Sequence, residues 1–219
     1  MGSRETQGKI LDTAISLFNS QGTSRVSCNR IAEACGISKG NLHYHFKSKE
    51  EIILAIWARV ALEIEEWGED ADRPTIAHLA ELTQRQFNLM WHYRFFYREL
   101  TILLDRDSLL KHRFQQLRQK RVDSIRRFFL ALIANNVLVL SDGEKSLESL
   151  LKIAWIITDH WMSFLAVEDK EIDSTTMQEG FELTLQLFMP LLTEEARRDI
   201  PESFRVFSVA PTAGKPNQV

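Results

Sequence analysis

Lys39, Asn41, His43, Tyr44, His45 and Lys49 place six hydrogen-bonding side chains within eleven consecutive residues. A lysine ammonium donates to the acceptor edge of guanine, and an asparagine amide pairs bidentately with adenine. Tyrosine, histidine and lysine donate to phosphate oxygens, contacts that position a protein on nucleic acid without reading sequence. Such groups need a rigid mount. Ile31 and Ala32 supply an apolar face upstream, Gly36 tolerates left-handed backbone, and Ser38 is a helix cap. This is the layout of a helix-turn-helix whose second helix, starting at Lys39, enters the major groove.

Other chemistries fit less well. His43 and His45 with nearby Cys35 invite a metal reading, but positions i and i+2 point to different helix faces, and no second Cys/His cluster follows. No metal and no cofactor are expected. G-x-S-x-G, a Gly-rich phosphate loop and H-E-x-x-H do not occur, so no catalytic residues are assigned and an enzyme is not expected. An enzyme with a decorative head would have to keep turnover after loss of Lys39, Tyr44 and His45. His92, His112 and His160 read as structural helix residues.

The mounting elements follow from periodicity and caps. A first helix is predicted from about Arg4 to Ser20, with Ile10, Leu11, Ala14, Leu17 and Phe18 on one stripe and Gly22 as its stop. A second runs from its cap Ser27 to Cys35, and a third from after Ser38 to about Phe46. Ser48 to Glu51 form a capping box that opens a fourth helix reaching about Gly68. An aromatic-rich segment covers 74–104, followed by helices over 108–134, from a second capping box at Ser141–Glu144 to about Ala166, and over 175–192. Beyond Ile200 a Pro-bearing tail is expected to be largely unstructured.

The whole chain sets the frame. Its 219 residues are 44% hydrophobic with nine Gly and five Pro, enough for a sizeable core without staples. Repeats at three and four residues, without period-two runs, make it all-α. No apolar run reaches the length of a membrane span, and the N-terminus lacks a signal segment. Cys28 and Cys35 would stand roughly 10 Å apart on one helix, so reduced cytoplasmic thiols are expected. Residues 1–50 carry seven Lys/Arg against four acids and the remainder 20 against 26, a basic head on an acidic body. A basic run from Arg106 to Arg127 reads as a solvated face meeting acids such as Glu63, Glu65 and Glu66.

The string from Ile31 through Ala32, Cys35, Gly36, Ile37, Ser38, Gly40, Leu42, Tyr44, His45 and Phe46 to Lys49 and Glu50 resembles the DNA-binding signature of the TetR family of bacterial transcriptional regulators. The resemblance covers about residues 8 to 55 and is architectural beyond. His43 stands where the family usually has Tyr, and Cys35 where it usually has Ala. It implies an all-α protein with an N-terminal three-helix helix-turn-helix domain (1–50), a larger helical effector-binding and dimerisation domain (51–200) and a C-terminal tail (201–219). It implies that Lys39, Gly40 and Asn41 approach base edges while Ser38, His43, Tyr44, His45 and Lys49 belong to the DNA surface. Arg25 and Ser27 are further phosphate candidates.

The function expected is a homodimeric repressor in the bacterial cytoplasm, binding a palindromic double-stranded operator and released by an unidentified small-molecule effector. The alternative is a DNA-binding dimer without effector, controlled by a partner protein or by abundance. Leu147, Leu151, Ala154, Trp161 and Leu165, with Phe181, Leu185, Phe188 and Leu192, are the expected dimer surface, forming a four-helix bundle. Trp91, Arg94, Phe95, Arg98, Phe128, Trp155 and His160 are candidate effector contacts.

Overall fold

The structure is a computed structural model that describes residues 2–65, 74–140 and 144–200. Among the described residues every regular element is helical. The expected acidic stretch after the fourth helix, its terminus near Gly68, the capping box at 141–143 and the tail lie outside those residues.

Local chemistry sets the first boundaries. α1 (Ser3–Gln21) ends at Gly22, whose φ is +78°. α2 (Cys28–Cys35) starts on Ser27, which accepts the Arg30 N–H, and ends on Gly36 at φ +66°. There the Gly36 N–H reaches the carbonyls of Ala32 and Glu33, a left-handed cap that a residue without Cβ adopts cheaply. α3 (Lys39–His45) starts on Ser38, which accepts the Asn41 N–H. Before α4 (Lys49–Glu65), the Ser48 hydroxyl accepts the Glu51 N–H at 3.2 Å, while the Glu51 carboxylate reaches back to the Lys47 N–H at 2.6 Å. The predicted box thus forms with its return bond displaced by one residue.

The aromatic segment predicted as one piece is three helices: α5 (Ile76–His92), α6 (Arg94–Arg98) and α7 (Leu100–Arg106). The breaks fall at Tyr93 (φ −106°, ψ 35°) and Glu99 (φ −108°, ψ 14°). Tyr93, Phe95, Phe96, Tyr97, Leu100 and Leu103 are all buried. Adjacent apolar residues cover more than one face of a continuous helix, so breaking the axis lets all of them turn inward.

α8 (Ser108–Ala134) and α9 (Glu144–Val167) match the predicted spans closely. The last long helix, expected to Leu192, is α10 (Ser174–Gln186), followed by a 3₁₀ turn over Met189–Leu191 and α11 (Glu194–Arg198). Pro190 explains the early stop: its ring would clash with the carbonyl four residues back, that of Gln186, and it has no N–H.

The chain divides into two compact units. The first comprises Met1–Trp67 and Tyr93–Leu117. Its core joins Ile10, Ala14 and Phe18 of α1 to Ile31, Leu42, Ile52, Ile56 and Trp57. Phe95 packs on Phe18 with centroids 5.1 Å apart, and Phe96 stacks on Trp57 at 4.8 Å. The second unit comprises Gly68–His92 and Arg118–Val219. Phe87 meets Phe181 edge-on at 6.1 Å. α10 closes against α9 and α5 at Gly180, where an added Cβ would stand 2.6 Å from the Trp161 indole and 2.8 Å from Phe87.

Candidate nucleic-acid interface

α3 is fastened on one side and bare on the other. Leu42 is fully buried and Phe46 nearly so, while Lys39, Gly40, Asn41 and Tyr44 are exposed. Tyr44 keeps 74% of its surface in contact with solvent, an unusual position for a large aromatic ring and one suited to a partner that covers it. Its ring stands edge-on to His45, centroids 5.1 Å apart.

Gly40 carries a separate signal. Its backbone is not left-handed, and an added Cβ would meet nothing in the chain nearer than the Ser38 hydroxyl at 3.9 Å. The fold therefore does not require glycine here. The demand comes from outside, as when backbone must approach a groove closely.

Around α3, Arg25 and Ser27 are exposed. The hydroxyls of Ser27 and Ser38 accept backbone N–H groups at 3.3 and 3.1 Å, so each retains its own proton for a phosphate oxygen. His43 and His45 are half-buried, and the His43 carbonyl accepts the Lys47 ammonium at 3.0 Å. Lys49, expected at phosphate, donates to the Thr23 carbonyl at 2.6 Å. It secures the α1–α2 turn, with two N–H bonds remaining.

That turn is held from a second side, which the sequence did not reveal. Glu99, at the α6–α7 break, accepts both the N–H (3.0 Å) and the hydroxyl of Thr23. Asn19 accepts the Phe95 N–H at 3.0 Å. Arg98 lies 3.5 Å from the Phe18 carbonyl and 3.6 Å from Glu99. Arg59 of α4 ties back to α1 through Asp12 at 2.6 Å. The reading helix therefore stands on a mount whose turn and first helix are bonded to α4 and α6.

The second unit contains a cleft enclosing about 640 Å³, open mouth included, between α5, α8, α9 and α10. Of the residues expected at an effector, Phe128 and Trp155 line it. Trp91 belongs to the second unit and is half-buried outside the lining, and His160 is exposed on α9. Arg94, Phe95 and Arg98 belong to the first unit. The cation in the lining is Arg121, with Thr83, Gln86, Thr158 and Thr184 as the other polar side chains. Arg121 sits three and four residues from Ile125 and Phe128 on one helical stripe, the spacing that places it inward. Within the basic run, Arg118 meets Asp159 at 3.6 Å and Arg126 meets Glu148. Burial pushes the Asp159 carboxyl up to about 6, against the pull of Arg118, His160 and Arg121.

The residues expected at a dimer surface turn inward. Leu147, Leu151, Trp161, Leu165, Phe181, Leu185, Phe188 and Leu192 are each at most 5% exposed within the single chain, and Ala154 is half-buried. α9 has a second apolar face: Ile153, Ile156 and Phe164 are 45%, 56% and 47% exposed, with Leu183 on α10. Two apolar faces on one helix also explain why Lys145–Val167 is long and apolar enough to cross a membrane by length and composition, though only a third of its most apolar window is buried.

Fold and site together define a helix-turn-helix DNA reader joined to a helical body. The model for bacterial regulatory proteins of the tetR family matches residues 10–56, and the TetR model, described as bacterial transcriptional repressor, matches residues 63–200. The second match alone covers more than half of the chain, which belongs to the TetR family. It is a DNA-binding transcriptional regulator, in a family of regulators rather than enzymes. The chain is 42% identical over 55 residues to the HTH-type transcriptional regulator AcrR of Shigella flexneri, covering 25% of this chain and 26% of that protein. A TetR-family transcriptional regulator from Marinobacter aquaeolei VT8 is similar over 91% of this chain and 96% of its own, with 29% identity and a TM-score of 0.80. A TetR transcription regulator from Haloarcula marismortui shares the fold at 14% identity and a TM-score of 0.69, over 87% of this chain and all of its own. The match to AcrR thus spans about a quarter of that relative's length.

Proposed function

We propose that the protein is a homodimeric repressor acting in the bacterial cytoplasm, holding a palindromic operator and releasing it when a small molecule occupies the α5–α10 cleft. Functionally, residues 1–50 are the reading head, residues 51–200 hold effector and partner subunit, and 201–219 are a tail. The observation that carries the reading is α3 itself, anchored by Leu42 while Lys39, Gly40, Asn41 and Tyr44 face outward.

In this assignment Lys39 and Asn41 read bases across the Gly40 backbone, and Tyr44 and His45 hold phosphate with Arg25, Ser27 and Ser38. His43 flanks the same surface. Lys49 acts chiefly as a positioning residue through the Thr23 carbonyl. A single head reads too few base pairs to be selective, so two copies related by a two-fold axis read a palindrome. The outer face of α9 with Leu183 is the apolar surface a second copy covers.

Fluorescence anisotropy with DNA from the promoter beside the gene tests the head. Asn41→Ala and Lys39→Ala change which operator base pairs are preferred, whereas Tyr44→Ala weakens binding to all sequences alike. Equal affinity of Tyr44→Ala and the parent at two salt concentrations would refute the docking of α3. For the dimer, Ile156→Glu sediments as a folded monomer with lower operator affinity. A variant that stays dimeric would move the interface elsewhere. Failure of every cleft ligand to alter operator affinity would favour control by a partner protein or by abundance.

A further inference from the structure

We infer that the cleft of the second unit takes an organic monoanion with a slender apolar body, its charged end at Arg121. This rests on the effector reading above and adds the chemical class of the ligand. Most of the wall is apolar, with Leu79, Ile125, Phe128, Leu151 and Phe188 supplying the surface that would sheathe a hydrocarbon or aryl chain.

The polar side chains in the wall narrow the choice of head group. The hydroxyls of Thr83, Thr158 and Thr184 donate to the carbonyls of Leu79, Ala154 and Gly180, at 2.8, 3.0 and 2.9 Å. A hydroxyl whose proton is committed to its own helix offers a ligand only lone pairs. Side-chain N–H donors in the lining come from Arg121 and Gln86.

Charge gives the sign. Among the described residues no Asp or Glu lines the cleft, and Arg121 does. A ligand cation would therefore meet a like charge and no counter-ion in the lining, whereas an anion meets a guanidinium able to bind a carboxylate through two parallel N–H bonds. The guanidinium is also placed by its surroundings. Arg121 and Arg118 lie over the Trp155 ring, 5.8 and 5.2 Å from its centroid, and Asp159 meets Arg118 at 3.6 Å. Of these three charged groups two are cationic, which leaves one positive charge for a ligand to neutralise.

Three probes with the same ten-carbon body and different ends test this: decanoate, decanol and decylamine, each titrated calorimetrically into the full chain at neutral pH. Decanoate should bind at least tenfold more tightly than either of the others. Arg121→Gln should lose that advantage while keeping its affinity for decanol, which also reports that the cleft is still formed. Arg121→Lys should recover only part of it, because an ammonium cannot form the planar two-bond pair. Equal binding of decanoate and decanol by the parent chain, preference for decylamine, or binding of none would overturn the proposal, even if the variants fail to fold. Promoter DNA affinity is read separately with and without decanoate. Tight, Arg121-dependent binding that leaves DNA affinity unchanged would sink the effector reading and leave the ligand assignment standing.

Discussion

The two units use polar side chains in opposite ways. In the first, polar bonds join elements: Glu99 to Thr23, Lys49 to the Thr23 carbonyl, Asn19 to Phe95 and Arg59 to Asp12. In the second, threonine hydroxyls bond back to their own helices, and the elements around the cleft meet mainly through apolar side chains. Directional bonds fix register and angle, while apolar contact alone tolerates small sliding. A reading helix has to be presented at one angle. A cavity that accepts a ligand has to give.

The largest way to probe that contrast is Asp159, a carboxylate that is 4% exposed in the second unit. Its native pKa is raised by burial to about 6 from an ordinary 3.8. The native state therefore holds its proton more tightly than the unfolded chain does. The contribution to stability is complete below about pH 3.8 and is lost as pH rises through 6, amounting to about 3 kcal/mol by pH 7. Asp159→Asn should equal the parent near pH 4, exceed it at pH 7, and show a flatter profile between. Denaturant melts across that range decide the matter, and parallel profiles for the two proteins would remove Asp159 from the account.

Glu99→Ala attacks the first unit instead. It leaves the nearly buried Thr23 N–H and hydroxyl without their acceptors, a loss of about 2 kcal/mol. Stability and DNA affinity should fall together, and Glu99→Gln should restore part of both. Decanoate affinity should be untouched. If Glu99→Ala lowers stability with DNA binding at full strength, the clamp holds the fold but does not position the reader.

Gly180→Ala tests how tightly the second unit is packed away from its cleft. The new methyl would press on the rigid rings of Trp161 and Phe87 at 2.6 and 2.8 Å. Overpacking of that kind should outweigh the gain in helix propensity and cost about 1–2 kcal/mol net. A thermal midpoint at or above that of the parent would show that α10 slides freely.

What the sequence discloses follows from how local the cause is. Ser27, Gly36 and Ser38 act on bonds within four residues, so the boundaries of α2 and α3 are legible from residue types alone. The breaks at Tyr93 and Glu99 come from the core they face and from Thr23, seventy-six positions from Glu99 in sequence. Arg121 looks like its neighbours in a basic run until the opposing helices are in place. α9 misleads for another reason. With apolar residues on two faces, periodicity selects the face richer in leucine, and that one fills the chain's own core.

The smallest effect on stability is also the sharpest test of what the reading helix is for. Gly40 lies inside α3 with room for a methyl, so Gly40→Ala should stabilise the first unit by somewhat under about 1 kcal/mol through helix propensity. If the glycine is there to let DNA approach the backbone, the same methyl should weaken operator binding at least tenfold while stability rises. Structural residues couple the two quantities in the same direction, as Glu99 should. Only a residue whose constraint comes from the partner drives them apart, and measuring both in one variant distinguishes a surface shaped by the fold from one shaped by what it touches. A rise in stability with unchanged DNA affinity would mean that the groove floor does not come that close, and that Lys39 and Asn41 reach the bases from further away.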